Sequence, residues 1–307
     1  MMGNSFYFEF EKLFMEFLQS LLNPFTEALA VFFTFFGEET ILIIVMGYLY
    51  WCYDKELGKK IATNIALGLV LGPMIKNVLC RRRPYMDIET LKCVKAPKAD
   101  RDIYDIAAQG FSCPSGHSMN SVTVFGSLAY YKNKNRIMTV LAFVIPLLVG
   151  LSRVTLGVHY PTDVVLGWAC GVVIVFGIPF LQSKLQKRWI LHLIIFIIAA
   201  LGCFYCRTED YFTGLGFMAG LFLAMPFEEK FVKFKNTNNI FESVLRIIVG
   251  IACYLLLNPL LKLVLISNIE IVALILRSVR YCIIIIVLLG IYPMFFNLIP
   301  KKIFKNQ

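Results

Sequence analysis

The sequence predicts an all-α, polytopic membrane helical bundle, and three observations carry that reading. Charged residues make up 16% of the 307-residue chain, against roughly 25% in a soluble domain. Mean hydropathy is +0.71. Long apolar runs alternate with short charged clusters, and a membrane helix needs about 20 mostly apolar residues. The runs are continuous and do not alternate with period two, which argues against a transmembrane barrel.

The elements follow in order. Residues 13–36 are apolar but interrupted at Asn23-Pro24, so they read as an interfacial helix plus a short span, with spanning and interfacial placement of the segment both open. Further apolar runs cover 40–53, 60–79, 116–131, 137–153, 162–183, 189–206, 211–227, 241–266 and 276–298. The 40–53 run is short for a crossing and reads as a continuation of the preceding helix. We divide the chain into a core over 1–185, containing six helices, and a C-terminal transmembrane extension over 186–307 with about four. No linker, low-complexity tract or internal repeat separates them. Glu9, Glu11 and Lys12 precede the first apolar run and no basic segment leads it. The first helices are therefore expected to stay in the mature protein.

The formal net charge is +10. No basic stripe interleaved with aromatics is present, so nucleic acid is not an expected partner; the bilayer is. Basic residues sit in short loops, as the positive-inside rule describes. Five clusters fall on one side of the predicted bundle: Lys55, Lys59 and Lys60; Lys132, Lys134 and Arg136; Lys184, Lys187 and Arg188; Lys230, Lys233 and Lys235; Lys301, Lys302 and Lys305. That side is expected to be cytoplasmic. The 80–115 and 154–161 loops then share the extracytoplasmic face. The 80–115 loop is itself basic, against the simple rule, and is partly balanced by Asp87, Glu89, Asp100, Asp102 and Asp105.

Nine cysteines are scattered along the chain, most of them inside apolar runs where a thiol packs as a small hydrophobe. Cys203 and Cys206 form a C-x-x-C without a second pair or nearby histidines, which favours packing over metal or redox work. Cys93 and Cys113 share the 80–115 loop, so a disulfide between them stands as an open alternative to two free thiols.

Two of the three histidines lie in the extracytoplasmic loops. His117 ends Pro114-Ser115-Gly116-His117 at a helix start. His159 lies between Ser152-Arg153 and Asp163. A third group, Lys76 with Arg83-Pro84, lies at the end of the 60–79 run. Seven residues are two helical turns, so Lys76 and Arg83 reach one pocket if the helix continues that far. Ser115 is a good N-cap, which leaves the amides of Gly116 and His117 available to an anion. Gly116 also lets the backbone approach closely. Pro161 suits a first helical turn, placing His159 just before a helix, with Asp163 one turn on to orient one ring nitrogen. The other nitrogen is then free for attack, and His117 is placed to protonate a leaving oxygen. His192, without such partners, reads as structural. Arg277 and Arg280 read as headgroup anchors rather than as part of a phosphate site.

These motifs resemble the type 2 phosphatidic acid phosphatase (PAP2) superfamily, whose signature is K-x6-RP, PSGH and SR-x5-H-x3-D. Here it reads Lys76 to Arg83-Pro84, Pro114 to His117, and Ser152-Arg153 to His159 to Asp163. The resemblance covers roughly residues 20–185. It implies that His159 is the nucleophile of a phosphohistidine intermediate, that Asp163 orients it, and that His117 is the general acid. Lys76, Arg83, Ser115, Gly116 and Arg153 would hold the phosphoryl oxygens. It implies no metal and no other cofactor, and no carboxylate–histidine cluster with metal spacing is seen in the sequence.

The function expected is hydrolysis of the phosphate or diphosphate headgroup of a membrane lipid, of the undecaprenyl diphosphate, phosphatidylglycerophosphate or phosphatidic acid type. A lipid-linked phosphotransferase would share the intermediate. A lipid transporter or scramblase with a basic headgroup site would instead need polar residues inside several spans. The residues after 185 carry no motif and are mostly apolar, with Lys262 the main exception.

Overall fold

The computed structural model describes residues 3–132, 135–185 and 187–298. Lys134, Lys301, Lys302 and Lys305 of the basic clusters lie outside them. Among the described residues the regular structure is helical, with a single isolated β-bridge between Asn4 and Arg81. Among the described residues, six helices are long and apolar enough to cross a membrane: Lys55–Leu79, Arg136–Thr155, Pro161–Lys184, Glu209–Val232, Ile240–Val264 and Glu270–Phe296.

The 13–36 run is two helices. α1 spans Glu9–Ser20 and α2 spans Pro24–Thr34. Asn23 separates them, its side chain accepting from the amides of Phe25 and Thr26 at 3.0 and 3.1 Å, with Pro24 opening α2. This is an N-cap with proline at the first position. At 12 residues α1 is too short to span. Helix α3 covers Glu39–Tyr48 and its coil continues to Tyr53, and α4 covers Lys55–Leu79. α5 is a helical run over 116–131, α6 is Arg136–Thr155 and α7 is Pro161–Lys184. Next come α8 at Arg188–Ala200, α9 at Glu209–Phe227, α10 at Ile240–Val264 and α11 at Glu270–Ile285. The last two thus begin at about the expected point and six residues early, respectively.

The chain forms two compact units. One contains Met1–Leu42, Leu71–Lys184 and Phe204–Thr208. In it α5 packs on α6 and α7, and α2 packs on α6. Two glycines one turn apart on α7 make the α5 seam close: a Cβ at Gly167 would lie 2.6 Å from the Ser115 carbonyl, and one at Gly171 would lie 2.7 Å from Val122. This is the small-xxx-small device of membrane helices. It sets Ser115 and the first turn of α5 against the first turns of α7.

The other unit contains Ile43–Val70, Leu185–Cys203 and Glu209–Gln307. Here α9 packs on α11 through Gly216 and Gly220, and on α4 through Gly214, whose Cβ would lie 2.4 Å from the Leu69 carbonyl. Buried Lys59 is held by Glu56 and Glu229 at 2.9 Å and Glu228 at 3.4 Å. Lys55 reaches Glu228 at 2.8 Å. His192 stacks flat on Phe222, with ring centroids 4.2 Å apart. Arg277 is held by Glu209 and Thr213.

Candidate active site

The site residues come from the first unit. α4 ends at Leu79, and Cys80 has a φ of +50°. The helix therefore does not carry Lys76 and Arg83 on one face, contrary to the expectation from their spacing. Arg83 precedes a proline, a position that disfavours helical backbone, and it is extended at φ −77°, ψ 151°. Its guanidinium is oriented by backbone instead. Nη2 donates to the Gln109 carbonyl at 2.8 Å, Nε to Gly110 at 3.1 Å, and Nη1 to Val158 at 3.0 Å. The same Nη1 stands 3.5 Å from His159 Nε2.

His159 sits in the turn between α6 and α7. Gly157 has a φ of +80°, and a Cβ there would lie 2.2 Å from the Lys92 carbonyl. Only glycine fits that turn without strain. The Val94 amide donates to the Leu156 carbonyl at 3.1 Å, which ties the 80–115 loop to this turn. Asp163, on the first turn of α7, places Oδ2 3.6 Å from His159 Nδ1. That is an ion-pair distance, longer than a hydrogen bond. The same oxygen accepts from the Tyr160 amide at 2.9 Å. His159 is pushed well below the usual imidazole range, first by burial and then by Arg83, Arg153 and Lys76, with the Ser112 backbone acting the other way. It is held neutral.

Ser115 is fully buried and caps α5: its Oγ accepts from the Ser118 amide at 3.4 Å and the Ser118 hydroxyl at 2.8 Å. The Ser115 amide donates to the Asp163 carbonyl at 2.9 Å, joining the two helix starts. A Cβ at Gly116 would meet nothing within 4 Å, so there is open space beside its backbone. His117 follows on the same turn. The turn after α2 presses on it, since a Cβ at Gly37 would lie 2.8 Å from His117 Cβ. Lys76, Arg83, Arg153 and His159 all act electrostatically on His117. Arg153, buried at the end of α6, donates to Thr34 Oγ1 at 2.7 Å. Lys76, Arg83, Arg153, His117 and His159 thus lie near enough to act on one another electrostatically, with Asp163 and the Ser115–Gly116 turn beside them. Cys93 and Cys113 are both free thiols. Burial and the neighbouring Asp163 push Cys113 up to about 12.

Three neighbours were not singled out from the sequence. Arg81 is buried against Asp163, with Nη1 2.7 Å from Oδ1. Glu11 is buried against Arg81 at 2.8 Å. Thr34 holds Arg153. Arg81 lies inside the Lys76–Arg83 window, in a run of three arginines of which the motif marks only the third. Glu11 gave a fainter signal, an acid in an aromatic-rich stretch.

The fold and this site together describe a helical membrane bundle with a buried histidine set between cations and a carboxylate. Residues 58–187 match the PAP2 superfamily, and residues 212–302 match the PAP2 superfamily phosphatase transmembrane extension, together more than half of the chain. The chain belongs to the PAP2 superfamily and is a multi-pass integral membrane protein. Among curated relatives, it is 39% identical over 85 residues to phosphatidylglycerophosphatase B of Bacillus subtilis, a match covering 25% of this chain and 42% of that protein. It is 28% identical over 149 residues to undecaprenyl-diphosphatase of Sulfolobus acidocaldarius, covering 48% and 66%. To lipid phosphate phosphatase delta of Arabidopsis thaliana it is 29% identical over 135 residues, covering 41% and 31%. The chain thus spans less than two thirds of each of these relatives. A crystal structure of a transmembrane PAP2 type phosphatidylglycerolphosphate phosphatase from Bacillus subtilis aligns at 25% identity with a TM-score of 0.45, covering 59% of this chain and 90% of that one.

Proposed function

We propose that the protein is a phosphatase that hydrolyses the phosphate or diphosphate headgroup of a membrane lipid through a phosphohistidine. The observation that carries this reading is the setting of His159, with Arg83 3.5 Å from Nε2 and Asp163 3.6 Å from Nδ1. Nε2 is the nucleophile. It attacks phosphorus while the bond to the leaving oxygen breaks, and His117 gives that oxygen a proton. Water then attacks the phosphohistidine, His117 takes a proton from it, and the P–N bond breaks to release phosphate. Lys76, Arg83 and Arg153, with the amides beside Gly116, stabilise the phosphoryl oxygens. That stabilisation is the largest contribution to rate, and loss of one comparable donor lowers turnover about 10²–10³-fold. The lipid names of the relatives support a lipid phosphate as the substrate class.

The catalytic part is the core over 1–185, with its site on the extracytoplasmic face. The positive-inside arrangement of the basic loops supports that orientation. The test is phosphate release by purified protein, with chelator present, over a panel of phosphatidic acid, phosphatidylglycerophosphate, undecaprenyl diphosphate and glucose 6-phosphate. At least one lipid should be turned over, and His159→Ala should release no phosphate while eluting and melting like the parent. Substantial turnover by that variant sinks the mechanism. Hydrolysis of lipid confined to the cytoplasmic leaflet of sealed vesicles sinks the orientation.

A further inference from the structure

Asp163 does not serve His159 alone. Its Oδ1 accepts from Arg81 Nη1 at 2.7 Å and its Oδ2 from the Tyr160 amide, with the Cys113 thiol nearby. Arg81 is enclosed on every side. Its Nη2 pairs with Glu11 Oε2 at 2.8 Å, Nη1 also reaches Thr162 Oγ1 at 2.7 Å, and Nε donates to the Phe6 carbonyl at 2.9 Å. The guanidinium lies over the rings of Tyr160 and Phe6, 3.9 and 4.7 Å from their centroids. Glu11 completes the cluster, its Oε1 accepting from the Thr162 amide at 3.1 Å and from the Thr162 hydroxyl. Glu11 and Asp163 are fully buried, and Arg81 is 1% exposed.

Glu11 comes from α1, whose Phe10, Leu13, Phe14 and Phe17 are exposed. On a helix at the bilayer surface outward aromatics face lipid, and what needs a reason is the buried glutamate. Burying the carboxylate carries a desolvation cost that only good pairing offsets. Arg81 is the charge that offsets it.

We propose that Glu11 and Arg81 are positioning residues for the reaction, together setting how much of the Asp163 charge reaches His159. The inference rests on the reading of His159 as the nucleophile. Arg81 sits at hydrogen-bond distance from Asp163, closer than His159 does, and draws on the carboxylate first. Glu11 in turn draws on Arg81 and so limits that draw. The other groups facing His159 are Lys76, Arg83, Arg153, His117 and the Ser112 backbone. Near Tyr160 the remaining charge is Asp87, itself paired with Arg82 at 3.1 Å. None of these side chains is itself removed when Glu11 or Arg81 is replaced.

Opposite substitutions should therefore act in opposite directions. Arg81→Gln releases the Asp163 charge to His159, so the His159 ring should titrate at higher pH. Glu11→Gln leaves Asp163 as the one carboxylate paired with Arg81, so the ring should titrate at lower pH. Each shift is expected on the order of one pH unit, and turnover at pH 7 should fall about 10–100-fold in both. Arg81→Lys keeps the charge and should restore much of the parental midpoint.

The experiment is histidine NMR titration of the full-length protein labelled in its histidine rings, with His159→Gln assigning the resonance, run beside kcat/KM against pH on the lipid panel. If Arg81→Gln does not fold, Glu11→Gln/Arg81→Gln removes both charges together and should show the upward shift alone. An unmoved His159 midpoint in the folded variants overturns the inference, as does a fall in turnover without a shift, which would mark a merely structural role. Turnover surviving in His159→Ala is a different result. It removes the nucleophile reading, while the titration still reports whether Glu11 and Arg81 control that ring.

Discussion

The nucleophilic role proposed for His159 fits surroundings that keep its ring neutral. A base buried among cations is protonated less readily than in the unfolded chain, where its usual value is about 6.5. Between the depressed folded value and 6.5 the unfolded state binds more protons, so stability rises with pH in that window. The contribution of His159 is thus fully present above pH 6.5 and is lost as pH falls below it. Melting temperatures of the parent and His159→Gln, compared from pH 5 to 8, should diverge in slope only on the acid side. A slope difference confined to alkaline pH contradicts this. Arg153 offers a second check at this scale. It ends a helix and reaches Thr34, so Arg153→Ala should lower turnover about 10²–10³-fold with little loss of fold, read as initial rates at matched melting temperature.

At the scale of elements, two close approaches position the site. The turn holding His159 depends on Gly157, and Gly157→Ala would force a Cβ into the Lys92 carbonyl at a positive φ. A loss of about 1–3 kcal/mol is expected for such backbone strain alone, visible as a lower denaturation midpoint. The seam between α5 and α7 depends on Gly167, and Gly167→Leu should separate Ser115 from Asp163 and abolish turnover even where the protein still inserts. Helix existence, the break at Asn23-Pro24, the cap at Ser115 and the N-terminal proline of α7 were legible in the sequence, because each is local. The route of Arg83 was not. Its spacing from Lys76 suggested one continuous helix, whereas Cys80 breaks it and the carbonyls of residues 109, 110 and 158 place the guanidinium. Those partners are distant in sequence, and no periodicity encodes them. Arg81 and Glu11 escaped for the same reason: each is a charge whose partner lies 70 or more residues away.

For the whole molecule, the extension is not an appendix. The first part of α4, through Val70, groups with the residues after 185 rather than with the first unit. Buried Lys59 depends on Glu228 and Glu229. A chain ended at residue 185 loses both carboxylates and the Gly214 seam. It should melt at markedly lower temperature and aggregate on heating, as followed by size-exclusion chromatography of heated samples; unchanged melting would show the extension to be dispensable. Redox conditions should matter little. All nine cysteines are free thiols, and burial raises Cys113 and Cys93 above the usual thiol range. Reductant should leave both melting and turnover unaltered.

The Glu11–Arg81–Asp163 cluster also imposes an order on biogenesis. Its three charges are made at three well-separated moments of synthesis, with 70 residues between the first pair and 82 between the second. When α1 has emerged, its glutamate has no countercharge to bury against, and it must wait in contact with water while its aromatics seek the bilayer surface. Docking becomes favourable once residue 81 arrives, and the cluster closes only when α7 begins. The cluster that joins α1 to the start of α7 is therefore completed late, and a nascent chain stalled before residue 163 lacks its last carboxylate.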